Sequence, residues 1–437
     1  MQTSWEFRSA YKNKNPGGEG FMKFRLLTYE NGLLFLLAFT FGVAFFDRNA
    51  ILFLWPYIID ELALTNLQIG IISAGMAVSW ALAAYLIGAW SDRTGVRKPF
   101  LLVTVIVFSL CSMLSGMAPV FLVLLLARVI MGIAEGPILP VSFAIMRTES
   151  SPGRESVNLG ILQTFFGALL GSTVAPLLVV YLAELYGWRV TFFLAGIPGI
   201  ICALLIWRFV REPVAEKIQN HEGTQPGFNP IKLLSVHNVF LCCLISCCMV
   251  GWYLCVLTFT PLIFTEYRGF TGIQMSRLMS VLGVCTIIGG ILLPRLSDRI
   301  GRKPVMVIFC LVSMIAPLTP VYFGGSLWIL AGLFFIGWIG SATFPLFMGV
   351  IPSESVSPGL AATTMGLVVC FGELTGGALA PIASGFAADM TSLAAPALVA
   401  AGCALAAAIF SMFLKETAPA KIGQKVSQVT ATRAGEV

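Results

Sequence analysis

Gly88-Ala89-Trp90-Ser91-Asp92-Arg93-Thr94-Gly95-Val96-Arg97-Lys98-Pro99 stands between two apolar runs, and Pro294-Arg295-Leu296-Ser297-Asp298-Arg299-Ile300-Gly301-Arg302-Lys303-Pro304 stands between two others. The shared string Ser-Asp-Arg-x-Gly recurs from Asp92 to Asp298, close to half the length of the 437-residue chain. A plain basic loop accounts for Arg93, Arg97, Lys98, Arg299 and Arg302. It does not account for an acid and a glycine repeated at fixed register. Gly95 and Gly301 permit tight turns between antiparallel helices, and Asp92 and Asp298 end a helix at the membrane face. Duplication of this kind marks many transporter folds.

The runs on either side are continuous rather than alternating. Hydrophobic residues make up 57% of the chain and charged residues 11%, against roughly 25% charged in soluble domains. Unbroken blocks such as 101–110 and 121–126 exclude the every-second-residue pattern of a barrel strand. The expected fold is therefore an all-α polytopic membrane protein, two six-helix bundles around a central cavity. The expected spans are 31–58, 67–91, 99–117, 119–147, 156–183 and 190–211, then 236–265, 272–297, 303–323, 325–351, 358–388 and 393–415. The domain plan is a tail at 1–30, a first bundle at 31–211, a central loop at 212–234, a second bundle at 235–415 and a tail at 416–437.

Charge sets the orientation. Loops on one side hold Arg189, Arg268 and Arg277, and Arg48 and Arg128 lie within spans; the other 22 of the 27 lysines and arginines sit in the tails and in or beside the remaining loops. The rich side is expected to be cytoplasmic, with both termini inside and the chain multi-pass in a plasma (inner) membrane. Basic residues so dispersed offer no nucleic-acid surface. Residues 1–30 are polar and basic, which reads as a cytoplasmic tail, with initiation at Met22 an alternative, rather than a cleaved signal. The 11 cysteines fall inside spans, Cys242, Cys243, Cys247 and Cys248 in one of them, and fit no zinc spacing. No metal and no cofactor is expected beyond a proton as coupling ion. His221 and His237 receive no role. No nucleophile–base pair or phosphate loop suggests an enzyme, and no appended domain suggests a sensor.

Within the first bundle Phe45-Phe46-Asp47-Arg48-Asn49 puts an acid and a base in an apolar run. Either charge costs about 2.5–3.5 kcal/mol at a bilayer centre on insertion scales, and charges so placed usually line a solute path. The fourth span carries Arg128, Gly132, Glu135, Gly136 and Pro140. Arg128 and Glu135 are two helical turns apart and share a face. Gly132 and Gly136 leave room for a neighbouring helix, and Pro140 is expected to bend its own. Asp47 and Glu135 balance Arg48 and Arg128 when all are ionised. One proton on either acid leaves a single positive charge, suited to a monocarboxylate. A structural ion pair is the alternative for Arg128 and Glu135.

The paired strings resemble the cytoplasmic motif of the major facilitator superfamily, with Gly88, Asp92, Arg93, Gly95, Arg97 and Lys98 the fuller copy and Pro294 replacing the first glycine in the second. That resemblance implies two rocking bundles and an Asp92 that docks at the start of the eleventh helix. Phe45-Phe46-Asp47-Arg48, with Arg128, Gly132, Glu135, Gly136 and Pro140, is similar to the superfamily's anion:cation symporters, among them phthalate and sugar-acid permeases. This second resemblance implies that Arg48 holds a substrate carboxylate, that Asp47 and Glu135 carry protons, and that Arg128 pairs with Asp47. Gln163 is either an interhelical hydrogen bonder or a substrate contact. Sugar-acid permeases tend to carry tyrosine near the positions of Phe45 and Trp80; if these two line the cavity rather than merely pack, the cargo is an aromatic or apolar acid. Glu373 stands where asparagine is common. It is expected to be neutral without substrate or to face Arg48, and serves either as a further proton site or as the partner of a cationic group. Tyr253 and Thr258, and Ser341 and Thr343 before Pro345, are further polar candidates, though serine and threonine hydroxyls commonly bond back to their own helix.

The expected function is proton-coupled uptake of a small organic anion by alternating access, by a protein that works as a monomer in a lipid bilayer. A sugar-acid permease and a proton-exchanging exporter of cationic or amphipathic compounds are the alternatives.

Overall fold

The computed structural model describes residues 28–151, 153–212, 230–357, 360–418 and 421, apart from the side chains of 92, 156, 230, 231 and 362. The expected N-terminal tail, most of the central loop and most of the C-terminal tail lie outside these residues. The first bundle holds α1 (Tyr29–Ile58), α2 (Asn66–Thr94), α3 (Lys98–Gly116) and α4 (Phe121–Glu149), then Val157–Phe209. This last stretch is 53 residues long. Gly187, at φ 79 and ψ 159, breaks it into α5 (157–186) and α6 (188–209). The second bundle holds α7 (His237–Tyr267), α8 (Gly272–Ile300), α9 (Arg302–Tyr322), α10 (Leu327–Glu354), α11 (Thr363–Met390) and α12 (Ala395–Met412). The expected spans fall on these helices in order.

The duplication runs deeper than the quoted strings. Thr65 and Gln68 form a reciprocal capping box at the start of α2, and Thr271 and Gln274 form the same box at the start of α8. Glu212, just after α6, accepts from the N–H groups of Arg97 (2.6 Å) and Lys98 (2.9 Å) at the start of α3. Glu416, just after α12, accepts from those of Arg302 (2.7 Å) and Lys303 (3.2 Å) at the start of α9. In each half a carboxylate satisfies the orphan donors of a helix N-terminus.

Small residues let the helices approach to backbone contact. A Cβ on Gly132 would lie 2.7 Å from the Met76 carbonyl oxygen, and one on Gly136 would lie 2.4 Å from that of Trp80. The break in α4 falls at Pro137, where the first segment ends at Glu135 and the next begins at Ile138. Pro140 does not bend the helix as expected. It sits in the new first turn, where a missing N–H would have had no intrahelical partner. Four π-helical turns interrupt other spans, at Gly167–Val174, Ile263–Tyr267, Leu346–Val350 and Gly372–Gly376.

The bundles meet along α2–α11 and α5–α8, with α1 against α7. The seam is tight at the end remote from the basic strings. There, Cβ atoms on Gly70 and Gly385 would each come to 2.3 Å from backbone oxygens of Pro381 and Asn66, and one on Gly283 would come to 2.6 Å from the Thr173 nitrogen. Toward the basic end, Gly160 of α5, Gly290 of α8 and Gly366 of α11 have nothing within 4 Å of an added Cβ.

Candidate functional site

The charged residues of α1 and α4 come together beside the seam. Asp47 and Arg128 are fully buried and Glu135 nearly so. Asp47 Oδ1 accepts from Ser112 Oγ of α3 at 2.5 Å, and Oδ2 has no partner. Arg128 does not close on Asp47 as the resemblance implied: among the described residues no contact within 4.0 Å joins them. Its guanidinium lies 4.6 Å from the Phe192 ring centroid, Nη1 reaches Met131 Sδ at 3.1 Å, and Nε and Nη2 are unpaired. Glu135 Oε1 is unpaired as well. A buried polar group left unsatisfied calls for an explanation, and here several adjoin. Asp47 and Glu135 are the acids whose fields act on Arg128, and Arg48 and Arg128 are the cations that act on Glu135.

Arg48 is half-buried and makes no hydrogen bond or ion pair among the described residues. Its guanidinium is flanked by Phe45 (5.6 Å to the ring centroid) and Trp80 (5.1 Å). Its neighbour Asn49 fixes the register of α1: Asn49 Nδ2 donates to the carbonyl of Gly171 in the first π turn, at 2.9 Å. The flanking rings hold the cation by their faces and leave its donor edge free.

The second bundle brings Glu373 and Tyr253 within electrostatic reach of Arg48. Arg48 is the charge that acts on Glu373, and both act on Tyr253. A Cβ added to Gly377 would lie 3.4 Å from both Glu373 Oε2 and Ala77 Cβ, so this carboxylate stands across the seam from the α2 turn that ends at Trp80. Tyr253 packs against Trp338 at 5.2 Å and Phe344 at 5.5 Å between centroids, which makes the far wall aromatic.

Other candidates lie elsewhere or act locally. Gln163 is exposed and has no hydrogen bond among the described residues. Thr258 donates to Ser73 Oγ across the seam at 3.3 Å rather than to its own helix. Thr343 bonds back to Gly340, and Ser341 Oγ has no partner. In the first basic string Gly88 faces Pro140, Arg93 is exposed, and Gly95 turns with φ 69. The Asp92 side chain, expected to dock at the start of the eleventh helix, lies outside the described residues. In the second string Arg299 is exposed and Gly301 turns with φ 111. Arg302 pairs with Asp298 at 2.5 Å and with Glu354 of α10 at 3.0 Å. Ser112, Asn49 and the two capping glutamates went unread in the sequence. Only the glutamates left a trace there, as Arg211-Glu212 and Lys415-Glu416 after the sixth span of each half.

Buried charge beside the seam of two bundles that close on each other at one end is the arrangement of a membrane transporter, not of an enzyme. The family model described as Major Facilitator Superfamily matches residues 37–378 and again 278–434, and the chain belongs to that superfamily. It is 26% identical to a hexuronate transporter of Bacillus subtilis over 84% of this chain and 90% of that one. It is 26% identical to a probable 4-methylmuconolactone transporter of Cupriavidus pinatubonensis over 76% and 78%. It is 30% identical to a multidrug resistance protein, MdtG, of Proteus mirabilis over 70% and 77%. Among solved structures, a bacterial homologue of the human lysosomal transporter Spinster superposes with a TM-score of 0.69 at 20% identity, covering 88% of this chain and 95% of its own.

Proposed function

We propose that the protein is a proton-coupled symporter that takes up a small organic anion, preferentially an aromatic or otherwise apolar carboxylate. The observation that carries this reading is the unpaired Arg48 guanidinium, stacked between Phe45 and Trp80 at the seam and backed by buried Asp47 and Glu135. A planar guanidinium with a free edge suits a carboxylate, and ring faces beside it suit an apolar body. Asp47 and Glu135 are assigned the coupled protons, with Arg128 their fixed counter-charge. Two relatives whose names refer to a hexuronate and a methylmuconolactone lend support. With the basic end placed in the cytoplasm of a plasma membrane, both termini lie inside. The structure is then open inward, and a single chain suffices for the cycle.

Glu373 and the multidrug resistance relative favour a second reading, export of a cationic compound in exchange for protons. Proteoliposomes separate the two. Accumulation of labelled benzoate or glucuronate driven by an inward proton gradient supports symport, and the two labels rank the apolar acid against the sugar acid. Gradient-driven movement of a labelled lipophilic cation, with neither acid moving, would overturn it. Glu373→Gln with unchanged rate and coupling removes that acid from the mechanism.

A further inference from the structure

Ser112 Oγ lies 2.5 Å from Asp47 Oδ1 and 3.0 Å from the carbonyl oxygen of Phe192 in α6. Ser112 and Asp47 are both fully buried. A hydroxyl carries one hydrogen, and an ionised carboxylate and a carbonyl can both accept it. Ser112 can therefore satisfy only one of the two at a time. We propose that Ser112 is the positioning residue for the proton on Asp47, its hydroxyl reversing direction as that carboxyl gains and loses hydrogen.

With Asp47 ionised, the hydroxyl donates to Oδ1 and the Phe192 carbonyl keeps only its helical partner. With Asp47 protonated, the carboxyl O–H donates to Ser112 Oγ, and the hydroxyl hydrogen turns to the carbonyl. Release breaks the carboxyl O–H bond, leaves the electron pair on the carboxylate and passes the proton to a water of the seam; uptake is the reverse. Either way Ser112 and Asp47 stay hydrogen-bonded to each other, which matters where both side chains are fully buried. Among the described residues Ser112 is the one hydrogen-bond donor to Asp47: no ion pair within 4.0 Å joins Arg128 to it, and Oδ2 is unpaired. The other charged or titratable groups facing Asp47 are Arg128 and Glu135 from α4 and Cys111 from α3, with Arg48 next to it in sequence. From α6 the contact is Phe192, and Arg189 one turn away is held by Glu61 and the carbonyls of Gly116 and Ala118. The neighbouring serines of α3 do not share this geometry: Ser109 donates to Val105 and Ser115 to Cys111, within their own helix.

The inference rests on the proton-coupled reading, and two measurements keep them apart. Infrared difference spectra of the purified protein over a pH series identify the carboxyl band of Asp47 as the one lost in Asp47→Asn. In Ser112→Ala this band is expected to move to higher frequency, as a carboxyl without an acceptor does, and its titration midpoint to move by about one pH unit, a tenfold change in equilibrium. Ser109→Ala leaves both unchanged. Ser112→Cys, close in size and a weak donor, falls between. In proteoliposomes Ser112→Ala is expected to keep benzoate counterflow within about twofold of the unsubstituted protein while gradient-driven accumulation drops about tenfold. An Asp47 band indifferent to Ser112, no titrating Asp47 band at all, or counterflow lost together with accumulation overturns the inference. A wild-type protein that accumulates neither acid overturns the symport reading instead, and the infrared result stands by itself.

Discussion

Arg48 shows what a single residue type contributes. Two rings hold it, and what they hold is a plane: a guanidinium stacks and still offers two parallel donors, whereas an ammonium is a point charge that does neither well. Arg48→Lys is therefore expected to keep the fold, with a melting temperature within a few degrees, and to lower uptake of the transported acid about tenfold or more, about 1.4 kcal/mol. Uptake and melting measured together check this, and lysine at full activity would remove bidentate recognition. Glu61, outside the spans, gives a pH prediction. The Trp188 indole N–H foremost, and then Arg189, hold its carboxyl below the usual range. A depressed carboxyl contributes stability above its unfolded value, and that contribution fades as pH falls through the folded value. Glu61 is half-exposed, so solvent screening limits the effect to about 0.5 kcal/mol. Glu61→Gln should melt slightly lower at pH 7 and equal the unsubstituted protein once both are measured well below about pH 4. A gap that persists in acid would show packing rather than charge.

At the scale of helices, the third of each bundle begins on a carboxylate from the chain end of the sixth. Glu212→Ala and Glu416→Ala each remove an anion and two acceptors from a helix N-terminus, a loss of about 1 kcal/mol apiece. Their loops lie in opposite bundles, so the two losses should add; denaturant titration of the single and double variants checks both the size and the sum. These caps also mark the limit of what the chain discloses. Span positions and the duplication follow from hydropathy and the repeated string, and the cost of buried charge singles out Asp47, Arg48, Arg128 and Glu135; that these four meet was a hypothesis, because such signals act within a helix or on its face. Pro137, not Pro140, breaks α4, because which proline does so depends on where the hydrogen-bond ladder restarts. Ser112 was invisible for another reason. It looks like any serine in a membrane helix, and its partners Asp47 and Phe192 are 65 and 80 residues away. Gln163, which does look functional, has no hydrogen-bond partner among the described residues; a polar type tells nothing of the direction in which it points.

For the whole molecule the decisive contact is the one that closes the seam. Asp389, the penultimate residue of α11, accepts from the N–H groups of Asn66 and Leu67 and from Asn66 Nδ2, each at 2.9 Å. The carboxylate of one bundle thus sits on the helix N-terminus of the other, where the dipole favours an anion. Gly70 and Gly385 let the backbones meet beside it. All of these contacts join α2 to α11, so all must part for that end to open, while the charged centre around Arg48 lies deeper along the seam. Asp389→Asn keeps the size and removes the charge. Charged hydrogen bonds are roughly twice as strong as neutral ones, and losing that surplus is expected to shift the balance about tenfold, about 1.4 kcal/mol, toward the form open at this end. Spin labels on opposite bundles at the α1–α2 and α11–α12 turns report the shift as a growing long-distance population in double electron–electron resonance. A distance distribution identical to that of the unsubstituted protein would mean that the glycine contacts hold the seam without the carboxylate. Because opening at one end is linked to closing at the other in a rocking pair, the same substitution should also slow reaction of a cysteine placed at Gly366, on the basic side, with a water-soluble maleimide. A change at one end without the other would separate the gate from the rocking motion and make Asp389 a local clasp.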